Sequence, residues 1–576
     1  MTAYLVLASV GVLVGLLIHG RIAPAVLFTG LAGAYYLAGL LEQSVWLVSY
    51  TNPALAALVL LLLISIVLER ASLLDRLSDL LFGGKSRTGA MLRLTGVTAA
   101  ASAFLNNTAV VGTLLGVVAR QRRIPASRLL LPLSYASVLG GVVTLVGTST
   151  NLVVNSFVVA AGMPALGMFT FAWVGLPVAL LCLLTLAISA RTLPDHSFDE
   201  GDQRQAYLLE ARVVGGSPLI GKSIEDNRLR HLDGLYLLEI VRDDQLVSPV
   251  MPSEILLEDD VLVFAGDMSK VQALQRFQGL QMLGGRADDL LASNLVEVVV
   301  SSHSELINRT LREVDFRTMF DAGVVGIRRG EKRLEGQLGR IPLRAGDCLL
   351  LAVGPDFAQH RNIDRNFHVL KGAPLRPRLS ASESYIALGG FAAVIALAAL
   401  EWVPLFAGLL VLLAVLLVRK ILTPAEMRRR FPFDLLMIIG SALAVASVLE
   451  SSGAAAIVAG AVRFVFDGYG VFGALVGVYL LTLILTELVT NNAAAALAFP
   501  IALSTAKAFG VDPMPFIMVV AYGASACFLM PFGYQTHLMV YSPGRYRVRD
   551  FLRAGLPVTV VYSVGVLLLV PLFFPF

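Results

Sequence analysis

Long apolar runs fill both ends of this chain. In the first part they fall at about 3–18, 24–41, 54–68 and 170–190. In the last part they fall near 384–400, 402–418, 433–449 and 555–574. Each is close to the minimum length of a helix that crosses a bilayer. Four other apolar stretches are broken by polar residues. The run 94–119 holds Ser102-Ala103-Phe104-Leu105-Asn106-Asn107-Thr108, and 471–508 holds Thr486-Glu487-Leu488-Val489-Thr490-Asn491-Asn492. Residues 129–162, too many for one plain span, are interrupted at Gly147–Asn151, and 514–542 at Gly533-Tyr534-Gln535-Thr536-His537. These two read as broken helices. Between about 195 and 380 charges are dense and apolar residues come in short strand-like runs.

The polar breaks recur in the same order in both halves. A third pair, Val67-Leu68-Glu69 and Val448-Leu449-Glu450, precedes them. Three ordered matches make the two ends copies of one unit.

Composition agrees. The 576 residues are 56% hydrophobic and 15% charged, against about 25% charged in soluble domains. The chain is therefore a multi-spanning membrane protein with a soluble part. A net charge of +4 gives no case for nucleic acid. Cys182, Cys348 and Cys527 are too far apart for a disulfide framework or a metal-ligand spacing. The apolar N-terminus lacks a basic residue before it, so it reads as a retained span rather than a signal peptide.

Short basic loops set the orientation. Arg70, Arg76, Lys85, Arg87 and Arg93 precede the first polar hairpin, and Arg120, Arg122, Arg123 and Arg128 follow it. A span cannot begin and end in the cytoplasm, so 94–119 is expected to be a re-entrant hairpin with its tip at Asn106-Asn107. Backbone of that kind is tolerated at membrane depth only when buried in protein or lining a cavity. Arg70–Gly83 and 451–468 read as interfacial helices. The hairpin 471–508, poor in basic residues, enters from outside. The expected fold is thus an α-helical polytopic membrane protein with inverted repeats and two re-entrant hairpins, the layout of many secondary transporters.

The soluble insert repeats itself as well. Leu209–Val214 with Ser217–Ile224 resembles Val296–Val300 with Ser304–Leu311, and Leu257–Gly266 resembles Leu343–Gly354. The expected domains are a first membrane repeat, 1–195, two small α/β modules, 205–283 and 288–372, and a second membrane repeat, 380–576. Arg191, Arg376 and Arg378 flank the insert and place it in the cytoplasm. It carries no Gly-x-Gly-x-x-Gly after a strand, so it is not read as a dinucleotide fold.

In such transporters the substrate and ion sit where discontinuous helices expose backbone near the midplane. Asn, Ser and Thr supply amide and hydroxyl groups that both donate and accept. Carbonyl, amide and hydroxyl oxygens suffice for a hard cation such as sodium. Proton coupling would favour a carboxylate or histidine in the membrane; Glu69, Glu450, Glu487 and His537 are the candidates. Glu487 has Ala103 in its place in the first copy, and reads as a structural salt bridge or hydrogen bond. His537 stands where Asn151 does and reads as a satisfied hydrogen bond. Polar residues that merely glue helices together are the bland alternative, and four symmetrically placed motifs weigh against it. No nucleophile–base set and no phosphate loop points to an enzyme.

At these residues the chain resembles the divalent anion:sodium symporter family. That family carries Ser-Asn-Thr at the tips of two opposed hairpins, matched here by Asn106-Asn107-Thr108 and Thr490-Asn491-Asn492. The phrases Gly147–Leu152 and Pro531–Thr536 are most similar to its sulfate-transporter-like branch, and the insert resembles paired TrkA-C (RCK-C) domains, as found in potassium-transport regulators. The resemblance implies one sodium site at Ser102, Asn106, Asn107 and the Gly147 backbone. It implies a second at Thr486, Asn491 and the backbones of Val489 and Gly533. Substrate would touch Asn107, Thr108, Thr148, Asn491, Asn492 and Tyr534. Asn106 and Asn492 depart from the family motif, which changes the substrate-facing chemistry and weighs against a dicarboxylate. The resemblance further implies a homodimer in the plasma (inner) membrane, alternating access, sodium ions as the coupling species and a small cytosolic effector on the insert. The expected activity is sodium-coupled uptake of a divalent oxyanion, sulfate first. Rivals are a dicarboxylate or other anion carrier, a ligand-gated channel, and a sensor whose apolar part is only an anchor.

Overall fold

The structure is a computed structural model. It describes residues 2–576 apart from 20–21, 69, 71–80, 83–86, 122, 190–191, 196–207, 267–273, 284–294, 372–378 and shorter gaps within 230–361. Glu69, most of the expected interfacial helix at Arg70–Gly83, and Arg191, Arg376 and Arg378 lie outside the described residues.

The first helical part comprises α1 (Thr2–His19), α2 (Pro24–Leu37), α3 (Gln43–Ser49), α4 (Pro53–Leu68), α5 (Arg87–Ser102), α6 (Asn107–Arg120), α7 (Leu130–Gly141), α8 (Ser149–Ala160) and α9 (Ala172–Ser189). Two five-stranded antiparallel sheets follow. One holds β1 (Leu208–Val213), β2 (Leu235–Arg242), β3 (Gln245–Val247), β4 (Val261–Gly266) and β5 (Leu280–Leu283). The other holds β6 (Leu295–Val300), β7 (Ala322–Arg329), β8 (Lys332–Leu334), β9 (Cys348–Val353) and β10 (Phe367–Lys371), with short helices α10 (Phe316–Phe320) and α11 (Ile363–Asn366). The second helical part contains α12 (Ala381–Ala399), α13 (Leu405–Val418), α14 (Pro424–Arg429), α15 (Phe433–Ser451), α16 (Ala454–Phe466), α17 (Gly470–Leu488), α18 (Asn491–Phe509), α19 (Met514–Ala524), α20 (Gln535–Tyr541) and α21 (Val548–Phe573).

Among the described residues eight helical segments are long and apolar enough to cross a membrane. One continuous apolar core joins both helical parts. Inside it, polar groups need partners. Tyr135 donates to the Phe528 carbonyl at 2.6 Å, Tyr522 to that of Phe171 at 2.6 Å, and Tyr562 to that of Tyr522 at 3.1 Å. Each bond joins residues far apart in sequence, so the cost of burying a hydroxyl fixes how helices meet.

The two sheets have the same plan, β3-β2-β4-β1-β5 and β8-β7-β9-β6-β10. The same buried ion pair recurs in each. Arg242 meets Asp260 at 2.8 Å, and Arg329 meets Asp347 at 2.7 Å. Among the described residues the regular structure of the modules is chiefly strand, with α10 and α11 the α-helices there. Each sheet has its own apolar core on one face. The other face of the second sheet behaves differently: Val299, Cys348 and Leu370 belong to the core of the helical part. Beside them Cys348 donates to Glu297 at 3.1 Å, Arg328 meets the same carboxylate at 3.0 Å, and burial pushes the Cys348 thiol up.

Candidate transport site

Each helical part contains a hairpin and a broken helix, built for the same local reasons. The first hairpin turns between α5 and α6, where Asn106 takes the N-cap and accepts from Thr108 N at 2.9 Å. The second turns between α17 and α18, where Thr490 caps and accepts from Ala493 N at 3.4 Å. Asn and Thr are favoured there because they satisfy amide donors that the first turn of a helix leaves open. The helix breaks lie between α7 and α8 and between α19 and α20. Their following caps, Thr148 and Tyr534, share one extended conformation, φ/ψ −136/146° and −143/146°.

The breaks and hairpins cross over. The hairpin helix α6 packs on α20, and α18 packs on α8. Asn107 meets the Tyr534 hydroxyl at 2.9 Å, and Thr108 donates to Gln535 Oε1 at 3.2 Å. On the other side Asn492 Oδ1 accepts from Ser149 at 3.3 Å and from Thr150 at 3.5 Å. The Thr148 side chain lies beside the Tyr534 hydroxyl, which brings the two sides together. Five of the six residues expected to touch substrate thus fall in one neutral polar cluster, and Asn491 stands beside it, next to Asn492 at the start of α18 and bonded to Thr486. Asn107, Thr148 and Asn491 are buried, whereas Thr108, Asn492 and Tyr534 are half-buried.

Behind each hairpin tip lies an oxygen cluster. Ser102 Oγ is 2.8 Å from Asn107 Oδ1, and Thr486 Oγ1 is 3.0 Å from Asn491 Oδ1. The inner end of the Asn107 amide also lies 3.1 Å from the Ser137 carbonyl and 3.2 Å from that of Gly147. With its nitrogen turned inward the amide donates to all three oxygens and accepts from Tyr534. With its oxygen inward, two backbone carbonyls face another acceptor, an arrangement that a cation satisfies. In the second half Thr486 Oγ1 reaches the Ala524 carbonyl at 2.5 Å, Asn491 Nδ2 lies 3.7 Å from Cys527 Sγ, and the neighbouring Ser525 hydroxyl is buried with no hydrogen-bond partner among the described residues. Hard cations take such oxygen sets, so the donors fit sodium in kind. Among the described residues no three His, Cys, Asp or Glu side chains converge as a metal site.

The other residues singled out in the sequence have the following places. The Asn106 amide is engaged at its cap. Val489 closes α17 in an extended conformation, and Gly533 lies near the Thr486 carbonyl, a Cβ there coming to 3.6 Å of it. Glu450 pairs with Lys507 at 2.5 Å. Glu487 accepts Leu529 N at 2.9 Å and Met530 N at 3.1 Å, so it braces the second break. His537 faces the Cys527 carbonyl with Nε2 at 2.7 Å and Ser134 with Nδ1 at 2.7 Å. A nitrogen facing a carbonyl must carry the proton, so Nε2 donates to the Cys527 carbonyl. In the first half Thr144 does the bracing, donating to the Ala103 carbonyl and accepting Gly147 N at 3.1 Å, while Asn151 donates to the Thr144 carbonyl at 2.8 Å. The carbonyls of Ser137 and Ala524 had no signal in side-chain chemistry. Ser149, Thr150 and Gln535 did, as polar members of the same motifs.

The family model described as "Citrate transporter" matches residues 12–523. The chain belongs to the citrate transporter family. It is a multi-pass membrane transporter and not an enzyme. An uncharacterized transporter of Synechocystis is 31% identical over 565 residues, 93% of this chain and 91% of its own. The uncharacterized transporter YfbS of Escherichia coli is 28% identical over 99% of both chains. Sodium/sulfate cotransporter 1 of Chlamydomonas reinhardtii is 30% identical over 63% of this chain and 42% of its own. Citrate transporter membership and these relatives accord with the anion-transporter resemblance drawn from the hairpin motifs.

Proposed function

We propose that this transporter couples sodium to the uptake of a divalent oxyanion, sulfate first. The observation that carries the reading is the pair of matching oxygen clusters, Ser102–Asn107 and Thr486–Asn491, on either side of one neutral polar cluster. One sodium ion would sit with Ser102, Asn107, the Gly147 carbonyl and the newly found Ser137 carbonyl. The other would sit with Thr486, Asn491 and the Ala524 carbonyl, close to Val489 and Gly533. Asn107, Thr108, Thr148, Asn491, Asn492 and Tyr534 would contact the anion through hydroxyls and amides, helped by the positive ends of α6, α8 and α18. No basic side chain stands among these residues, so cations bound alongside would supply the charge that a dianion needs. Relatives bearing the name sodium/sulfate cotransporter support sulfate and sodium together.

In this reading the hairpins are re-entrant, and the two repeats are inverted, with residues 120–128 cytoplasmic and 161–168 external. The sheets are tandem TrkA-C domains in the cytoplasm that sense a small effector, and the protein works as a homodimer. The protein is purified and placed in proteoliposomes, and radiolabelled sulfate uptake is followed with an inward sodium gradient and with choline in its place. Uptake should need sodium. Equal uptake in choline would sink the coupling. The family's citrate description favours one second reading, a carboxylate carrier; excess unlabelled citrate that blocks the sulfate signal at lower concentration than sulfate itself would establish it. Orientation has its own test. Cysteines at Ala165 and Arg123, both exposed, should label from opposite faces.

A further inference from the structure

The two β-modules share a plan, so each serves as a control for the other. In the first, the turn after β2 and the turn before β4 hold Asp243 and Asp259, both with left-handed backbone (φ 49° and 64°) and both exposed. Aspartate tolerates that conformation and suits a solvated turn. In the second module the same two positions are Gly330 and Gly346, at φ 59° and 81°. Here a side chain would collide with the helical part. A Cβ on Gly330 would come within 2.8 Å of the Tyr541 ring and 2.9 Å of the Tyr546 carbonyl, and one on Gly346 within 2.9 Å of the Leu538 carbonyl. Both turns therefore seat on α20 and the loop after it.

One side chain fastens them. Ser542, fully buried at the end of α20, accepts from Gly330 N at 3.0 Å and donates to the Gly346 carbonyl. Arg547 pairs with Glu331 in the same turn. Tyr546, between them, accepts Leu131 N at 3.0 Å and donates to the Ser127 carbonyl, reaching the start of α7. From the other side β10 packs against α6. The second module thus holds α6 and α20, whose first turns carry the Asn107–Tyr534 and Thr108–Gln535 contacts.

We propose that the second β-module is a fixed part of the unit that bears the transport site, with Ser542 as the positioning residue that pins it to α20. This rests on the transport reading and adds where the insert acts. An effector on the modules would reach the site through Gly330, Gly346 and Ser542, not through the chain connections at the ends of the insert. It would alter transport only by binding differently to the states of that unit.

Hydrogen exchange of the intact protein in detergent tests the pin without any transport. Ser542→Ala removes two buried hydrogen bonds, so exchange should rise by about tenfold or more in the 329–331 turn and in Gln535–Tyr541 together. Faster exchange confined to the turn, with α20 as protected as before, would overturn the proposal. A second test keeps Ser542. Glu331→Cys and Arg547→Cys, joined by a cleavable bifunctional thiol reagent, should leave sulfate uptake unchanged, because a fixed contact loses nothing when locked. Uptake that stops on linking and returns on cleavage would mean the module slides over α20, and the idea fails. A wild-type chain that moves no sulfate would sink the sulfate reading and leave the exchange measurement to decide this one.

Discussion

The two halves of the site keep the same oxygens and change what holds them. Ser102–Asn107 and Thr486–Asn491 have the same five-residue spacing and nearly the same separation, 2.8 and 3.0 Å. The supports differ. Around the first break they are neutral and local, Thr144 and Asn151. Around the second they include a carboxylate, Glu487, an imidazole, His537, and a hydroxyl from the other half, Tyr135. A duplicated unit can exchange its braces freely if the demand falls on the oxygens themselves. That is the behaviour of a ligand set, whereas a helix-gluing contact has no reason to keep its oxygens and replace everything behind them.

The sharpest way to break this comparison is to remove the shared member. Asn107→Ala and Asn491→Ala each delete an inward amide group and leave buried partners unsatisfied, which costs about 1–3 kcal/mol. Sodium dependence of uptake should weaken by roughly tenfold or more in each. Because the halves match, the two losses should be alike in size. A large loss in one and none in the other would break the symmetry, and with it the two-ion reading.

The braces should matter less, and unequally. Glu487→Gln keeps one oxygen for Leu529 or Met530 and loses one charge-assisted bond, while Glu487→Ala loses both. Bonds to a charged group are worth about 1.5–3 kcal/mol. Thermal stability in detergent should therefore fall in the order wild type, Gln, Ala, with uptake following stability. If Glu487→Gln is as stable as wild type yet no longer responds to sodium, the carboxylate is a ligand and not a brace. In the first half Thr144→Val keeps the shape and removes both bonds; it should lower stability without changing sodium dependence.

Much of this was legible in the residues because a membrane makes polar groups conspicuous. The breaks at Ser102–Thr108, Gly147–Asn151, Thr486–Asn492 and Gly533–His537 stand out from apolar surroundings, and their order gave the duplication. Paired repeats in the insert, such as Leu257–Gly266 with Leu343–Gly354, suggested two similar modules, while their common strand order came only from the fold. Backbone contributions beyond those of Gly147, Val489 and Gly533, which the family resemblance supplied, were not legible. The carbonyls of Ser137 and Ala524 enter the clusters only because a partner helix passes them, and no side chain announces that. The crossing of α6 with α20 and of α18 with α8 depends on how the halves interleave, which spacing along one chain does not encode. Glu487 was visible as an asymmetry with Ala103, and its partners proved to be amides of the facing break, which only the fold supplies.

The smallest expected effect belongs to Asn106, and it separates two roles that the sequence left merged. The family resemblance gives this residue to the first sodium site. Its side chain instead accepts from Thr108 N, and the matching residue at the second tip, Thr490, accepts from Ala493 N in the same capping role. Asn, Ser and Thr cap about equally well, and replacing such a cap by Ala costs about 1 kcal/mol. Asn106→Ser should therefore keep both stability and sodium dependence, because a hydroxyl can take over the cap. Asn106→Ala should lower stability modestly, with the sodium dependence of the folded protein unchanged, and Thr490→Ala should do the same at the other tip. A ligand behaves differently: a serine hydroxyl reaches less far than an asparagine amide, so both substitutions at 106 would shift the sodium dependence, while Thr490→Ala would not. If Asn106→Ser weakens sodium dependence at full stability, the first cluster draws on its cap residue, the second does not, and the two halves differ in their ligands as well as in their braces.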